Sequence, residues 1–244
     1  MLSGLLILTT LAPPALGAWR PGMKRAIRYA SSREGEIGFA VVGPAGRLYR
    51  HHAARRVPAA SVLKVMFMVA YLRHPSVRDR QLRTRDRRLL RPMIRRSDND
   101  AATRIADFLG PRPMRRLARR AGMRHFGYTR PWGLSTVSAR DQARFTFRLE
   151  RYIPDRHEVF ARRQLARIIE AQRWGVARVP LGDFGLFFKS GWGSGTGEIS
   201  HQVAFIEDDD RRIALAIMIT DSPSHAYSKR TLRGVAGRLL RDLP

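Results

Sequence analysis

Two β-type runs lie near one end of this 244-residue chain and three near the other, with helical periodicity between them. That order restricts the fold more than any other feature. Alternating apolar residues at 36–42 and 47–52, on either side of Gly43-Pro44-Ala45-Gly46, read as a hairpin. Runs at 184–189, 200–206 and 212–220 read as strands, the last two joined by a tight turn at Asp208-Asp209-Asp210. The intervening stretch gives helices at 62–72, 86–95 (with Pro92 placed to kink it), 100–108, 113–121, from Ala139, and 158–173. Ser138-Ala139-Arg140-Asp141 matches a capping box for the fifth of these. Helices at 24–33 and 224–241 bracket the whole. Strands left at the two ends of a chain must find each other to satisfy their backbones. The expected fold is therefore α+β: one five-stranded antiparallel sheet built from both ends, terminal helices on one face, and an inserted all-helical lobe beside it. With 44% apolar residues, no repeat and no long linker, residues 18–244 form one domain, with a sheet lobe at about 24–56 and 180–244 and a helical lobe at about 57–179.

Within that frame, Ser61-Val62-Leu63-Lys64 carries the first chemical signal. Residues three apart on a helix share a face, so a hydroxyl at the helix entrance and an amine one turn on can meet. Arg56-Val57-Pro58-Ala59-Ala60 supplies an extended lead-in, and the run to Leu72 is apolar enough for a buried central helix. The chain has four Lys (24, 64, 189 and 229) against forty-two Arg. Where any positive charge would serve, this sequence uses Arg. A buried Lys can lose its proton and act as a base, and Arg effectively cannot, so Lys at 64 has a chemical meaning.

Ser97-Asp98-Asn99 falls between two helical segments, and Lys189-Ser190-Gly191 closes a predicted strand before Trp192-Gly193-Ser194-Gly195-Thr196-Gly197. Taken singly, the first reads as a helix cap and the second as a flexible hairpin. Taken together, Ser-x-x-Lys, Ser-Asp-Asn and Lys-Ser-Gly, in this order and on helix, inter-helix loop and edge strand, resemble the penicillin-recognising serine acyltransferases, specifically the class A β-lactamase-like group. From about Lys24 to the end the order of elements matches that β-lactamase/transpeptidase-like topology as well. The resemblance implies that Ser61 is the nucleophile and Lys64 its proton acceptor, direct or relayed, with Ser97 passing a proton to the leaving nitrogen. It implies that Asn99 binds the substrate's acyl-amide chain, that Lys189, Ser190 and Gly191 hold the substrate carboxylate on the edge strand, and that the backbone N–H groups of Ser61 and Trp192 form the oxyanion hole.

The sequence departs from the family pattern at two places. Rapid class A enzymes place a glutamate in the loop after Ser-Asp-Asn to activate the deacylating water. Here the acidic residues between Asn99 and Ser138 are Asp100 and Asp107, both in the helix expected after the motif, and Gly127-Tyr128-Thr129-Arg130-Pro131-Trp132-Gly133-Leu134-Ser135 replaces that loop without a carboxylate. Asp141 reads as a helix cap. The Arg expected after Lys-Ser-Gly is also absent, with Glu198 and His201 in its neighbourhood; His201 is either its substitute or a solvent-facing strand residue. The expectation is a serine hydrolase that forms an acyl-enzyme with β-lactams or D-alanyl-type amides such as the peptidoglycan stem peptide, and releases it slowly. A peptidoglycan D,D-peptidase-like enzyme, or a catalytically weak binder of anionic wall polymers, is the alternative.

The formal net charge of +26 either serves an anionic partner such as a wall polymer or reflects an Arg-rich composition. Nucleic acid is not expected, because the basic helices at 78–95 and 112–124 lack interleaved aromatics. The seven His show no ligand spacing such as His-Glu-x-x-His, and there is no Cys, so neither a metal nor an organic cofactor is expected. An apolar run at 2–11 followed by Ala15-Leu16-Gly17 reads as a signal peptide over 1–17, although no basic residue precedes it. The processed protein is expected outside the inner membrane, periplasmic or extracellular, as a monomer with no stable membrane span.

Overall fold

The structure, a computed structural model, describes residues 19–193 and 198–243. The expected signal peptide and Ser194-Gly195-Thr196-Gly197 of the glycine-rich stretch lie outside the described residues. Helix α1 (Met23–Ser31) precedes a hairpin of β1 (Glu36–Val42) and β2 (Leu48–His51), then the short β3 (Val57–Pro58). A helical block comes next: α2 (Leu63–Leu72), α3 (Pro75–Arg78), α4 (Thr84–Arg95), α5 (Asn99–Leu109) and α6 (Pro111–Arg120). After β4 (Thr136–Val137) come α7 (Ala139–Phe147) and α8 (Asp155–Ala166). Three long strands, β5 (Gly185–Gly193), β6 (Ile199–Glu207) and β7 (Arg212–Thr220), lead to the closing α9 (His225–Leu239).

The two ends of the chain do meet in one sheet, ordered β2-β1-β7-β6-β5 and antiparallel throughout. Ala40 opposite Ala216 marks the junction between the N-terminal hairpin and the C-terminal strands. Residues Ile199–Ile206 and Ile213–Thr220 are buried without interruption, a pattern that requires cover on both faces. Helices α1 and α9 pack together, with α9 on β6 and β7, while α7 packs on β7, β1 and β6. Strand β5 is left at the edge, against the 3-10 turn Ala60–Val62 that carries Ser61. All ten residues of α2 are buried, as its unbroken apolar sequence requires, and α4, α5 and α6 pack around it.

Local differences from the sequence reading have physical causes. Helix α4 begins at Thr84 because the Asp86 carboxylate accepts the Arg83 N–H at 2.6 Å and fixes the first turn there. Helix α8 starts at Asp155, after Pro154, and ends at Ala166 rather than continuing to 173. Beyond it the backbone turns away, with the Ile169 N–H donating to Arg95 O at 3.1 Å and Gln172 Nε2 to Arg96 O at 2.6 Å. Only half of the capping box at α7 forms. Ser138 Oγ accepts the Asp141 N–H, but the Asp141 carboxylate accepts the His125 backbone N–H at 2.7 Å instead of reaching back.

Candidate active site

Ser61 stands at the joint between the extended β3 and α2. To turn that corner the backbone places Ala60 at φ 43°, a left-handed conformation that is costly for a residue with a Cβ. The 3-10 turn that carries Ser61 lies against the edge strand β5, and Lys64 follows in the first turn of α2. Gly191 on β5 lies so close that a Cβ there would come within 2.7 Å of both Ser61 N and Val62 N. No other residue type lets the edge strand run past the helix entrance at this distance.

Lys64 has no exposed surface. Its ammonium donates to Ser97 O at 2.5 Å, Asn99 Oδ1 at 2.7 Å and Ser97 Oγ at 3.2 Å. Ser97 presents both oxygens because it too is left-handed, at φ 58°. Its hydroxyl is shared: Lys189 Nζ, equally buried, donates to Ser97 Oγ at 3.0 Å and to Ser190 O at 2.8 Å. Among the described residues no carboxylate accepts a hydrogen bond from either amine. The nearby Asp98 spends its side chain capping α5, with Oδ1 accepting the Ala101 N–H at 2.7 Å. Burial therefore pulls Lys64 down to about 7, against a smaller upward influence of Asp98. Burial and the charge of Lys64 hold Lys189 well below the ordinary lysine range. An amine that is half deprotonated near neutrality, one helical turn from a serine, is poised for proton transfer. Among the described residues no hydrogen bond joins the Ser61 hydroxyl to Lys64, whose amine is turned to Ser97 and Asn99.

The remaining sequence candidates sit on β5. Lys189-Ser190-Gly191 lies inside the strand rather than at its end, opposite Val203, Gln202 and His201 in register, and the strand continues through Trp192 to Gly193. Ser190 is buried and its Oγ accepts from Gln202 Nε2 at 2.9 Å, which leaves its own O–H to donate. Gln202 also donates to Trp174 O and accepts the Val176 N–H, tying the segment before β5 to the sheet. Trp192 is partly exposed, stacked on His225 at 5.5 Å and edge-on to Trp174 at 5.8 Å. No sequence pattern points to Gln202 or to the aromatic pair under Trp192.

His201, beside the site, is neither at the surface nor available to a substrate carboxylate. It is fully buried, its Nε2 donates to Pro58 O at 2.9 Å, and its Nδ1 accepts the Ile219 N–H at 3.2 Å. Burial drives it to about 4, so it is a neutral strut between the sheet and β3. Above Lys64, the segment 127–135 presents an aromatic ring. The Trp132 ring centroid lies 5.1 Å from Lys64 Nζ, its face edge-on to Phe67, with Nε1–H donating to Thr103 Oγ1 at 3.1 Å. Arg130 in the same segment is paired with Asp107 at 2.6 Å, so one of the two acids near the expected loop is already engaged.

A family model described as the Beta-lactamase enzyme family matches residues 78–243, a segment that holds Ser97, Asn99 and Lys189-Ser190-Gly191 while Ser61 and Lys64 precede it. No curated protein matches by sequence. Among solved structures, the fold is similar to a β-lactamase from Sphaerobacter thermophilus (22% identity, TM-score 0.74, covering 90% of this chain and 96% of that one). It is also similar to a class A β-lactamase from Mycobacterium abscessus (20%, 0.75, 90% and 98%). A β-lactamase from Xanthomonas campestris is 16% identical at TM-score 0.77, with 91% and 97% covered.

Proposed function

The chain belongs to the beta-lactamase enzyme family, and from that premise we propose that it is a serine hydrolase forming an acyl-enzyme at Ser61 with β-lactams or D-alanyl-type amides, and releasing it slowly. The observation that carries this reading is the buried Lys64 amine, held by Ser97 and Asn99 with its pKa at about 7. Neutral Lys64 takes the Ser61 proton, directly or through the Ser97 hydroxyl, and Ser61 Oγ adds to the carbonyl carbon. The oxyanion is received by the N–H groups of Ser61 and Trp192, worth about 3 kcal/mol per donor in comparable sites. Ser97, between the two lysines, returns the proton to the departing nitrogen. The Lys189 amine and the Ser190 O–H donate hydrogen bonds to the substrate carboxylate, and Asn99 meets the acyl-amide chain.

Slow release is the consequence of what covers Lys64. Trp132 occupies the place over the amine where a water-activating carboxylate would be useful, and an indole can neither accept a proton from water nor orient it as a base. The site of action we place outside the inner membrane, on the strength of the apolar run at 2–11; among the described residues no helix is long and apolar enough to cross a membrane. The test is intact-protein mass over time with benzylpenicillin, with Ser61→Ala in parallel. A persistent adduct on the parent, absent from Ser61→Ala, is the expected result. Rapid penicilloate release without accumulation would overturn slow deacylation, and no reaction with either benzylpenicillin or a D-alanyl-D-alanine peptide would overturn the acyl-enzyme itself.

A further inference from the structure

The seam between α4 and α8 holds two adjoining cavities. One, of about 300 Å³, is walled by Arg87, Arg91 and Arg95 from α4, by Arg163 and Gln164 from α8, and by Arg167 just past its end. The other, of about 370 Å³, shares Arg91, Arg95 and Arg167 and extends to Arg96 and Ile169. Sequence spacing produces this wall. Residues 87, 91 and 95 recur at four-residue intervals on α4 and form a stripe, and Arg163 near the end of α8 and Arg167 just past it face that stripe where the two helices pack against each other.

Cations in such stripes repel one another, and carboxylates usually relieve the repulsion. Here the nearby acids are otherwise engaged: Asp86 with Arg80, Glu150 with Arg162, and Glu170 with Arg173 and Arg178. Asp155 and Glu158 belong to the first turn of α8 and do not line the cleft. Among the residues that line it, the buried Arg95 Nε–H has no hydrogen-bond partner. An unanswered buried N–H among crowded guanidiniums is a donor set without its acceptor. Burial, and then the charges of Arg167, Arg91 and Arg163, lower the pKa of Arg95, a repulsion that a bound anion would cancel.

We propose that the α4–α8 cleft binds consecutive phosphate groups of a base-free phosphodiester polymer. Guanidinium forks match phosphate oxygens in pairs, and two adjoining cavities suit a chain of phosphates better than a single ion. Phe160 is the one aromatic residue in the lining, and the Arg87 guanidinium already sits 5.4 Å from its ring centroid, so no ring is left for a nucleobase to stack on. A lipid surface fits less well, because the arginines line a recess and the exposed apolar residues at its rim, Val159 and Ile169, are isolated. The proposal is independent of the chemistry at Ser61, although Arg96 adjoins Ser97 and brings a bound polymer toward the mouth of that site.

The experiment uses the full chain and a fluorescein-labelled propanediol phosphodiester oligomer, with inorganic phosphate, single-stranded DNA of equal length and anionic phospholipid vesicles as comparators. A triple variant, Arg91→Ala with Arg95→Ala and Arg167→Ala, is compared with Arg115→Ala, Arg116→Ala and Arg119→Ala on the exposed face of α6, which removes the same charge elsewhere. The cleft variant should bind the oligomer about tenfold or more weakly and flatten the salt dependence of log K by about 2, whereas the α6 variant changes affinity less than about threefold. Equal losses in the two variants would overturn the proposal, since diffuse charge would then explain binding. Tighter binding of DNA or of vesicles than of the oligomer, lost in the cleft variant, would also overturn it in favour of those partners, as would an oligomer no tighter than inorganic phosphate. Arg167→Ala alone, at an exposed position, replaces the triple variant should that variant unfold; a loss smaller than that of Arg115→Ala would count against the cleft.

Discussion

Lys64 and Lys189 are buried without an acid, and that choice ties the chemistry to pH in a definite direction. With Lys64 at about 7, acylation by benzylpenicillin should rise about tenfold between about pH 6 and about pH 8 and then level, as the amine loses its proton. A flat rate across that interval, measured by stopped-flow or mass, would remove Lys64 as the base. Stability moves the same way. The folded value lies below the ordinary 10.5, so between about 7 and about 10.5 the unfolded chain holds the extra proton. Stability therefore rises with pH across that window, with Lys189 acting in the same sense, and Lys64→Met should flatten the rise in Tm. Gly191 gives a purely steric prediction. A methyl group 2.7 Å from Ser61 N and Val62 N must push the strand off the helix entrance, so Gly191→Ala should cost about 1–3 kcal/mol and reduce acylation more than tenfold. Parent-like acylation in Gly191→Ala would show that the spacing of β5 and Ser61 is not what the chemistry depends on.

Among the elements, α4 is organised by one buried carboxylate. Asp86 accepts from Tyr71 Oη at 2.7 Å, from Arg80 at 2.6 Å and from the Arg83 N–H at 2.6 Å. Burial raises its pKa, but hydrogen bonds from Arg80, Tyr71 and Arg83 outweigh that and bring it to about 2. Its contribution is complete above the ordinary 3.8 and disappears as pH falls toward about 2. Asp86→Ala should destabilise the fold by about 3 kcal/mol in chemical denaturation. Acylation at Ser61 should persist in whatever fraction stays folded; loss of acylation in a folded Asp86→Ala variant would make Asp86 part of the site. The elements also differ in how legible they are in the sequence. Strands β6 and β7 announce themselves because burial on both faces demands unbroken apolar runs. Strand β5 reads short because Gly191 and Gly193 look like breakers, when the missing Cβ at 191 is what allows the strand to pass Ser61. The end of α8 is set by Arg95 O and Arg96 O receiving residues 169 and 172, a tertiary capture with no local signal. Ser61, Lys64, Ser97 and Lys189 can be named because chemistry restricts their residue types. Trp132 cannot, since its place over Lys64 depends on how a loop about seventy residues on folds back, and His201 cannot, since both its ring partners come from other strands.

For the molecule as a whole, the sheet joins what the chain separates most. Strand β1 has β2 on one side within a few residues, but its other edge pairs with β7, from Glu36 opposite Thr220 to Val42 opposite Ala214. During synthesis the N-terminal hairpin must therefore wait, with an apolar edge open, until β7 has emerged. Removing residues from 212 onward should leave a protein without cooperative unfolding, even though Ser61, Lys64, Ser97 and Lys189 all remain; a truncated chain that still melts cooperatively would contradict this. Contacts so distant in sequence are slow to form. The folding clock of this protein accordingly starts only once β7 has been made, and a partner that holds unpaired strand edges would find its longest opportunity on the nascent chain between β2 and β7.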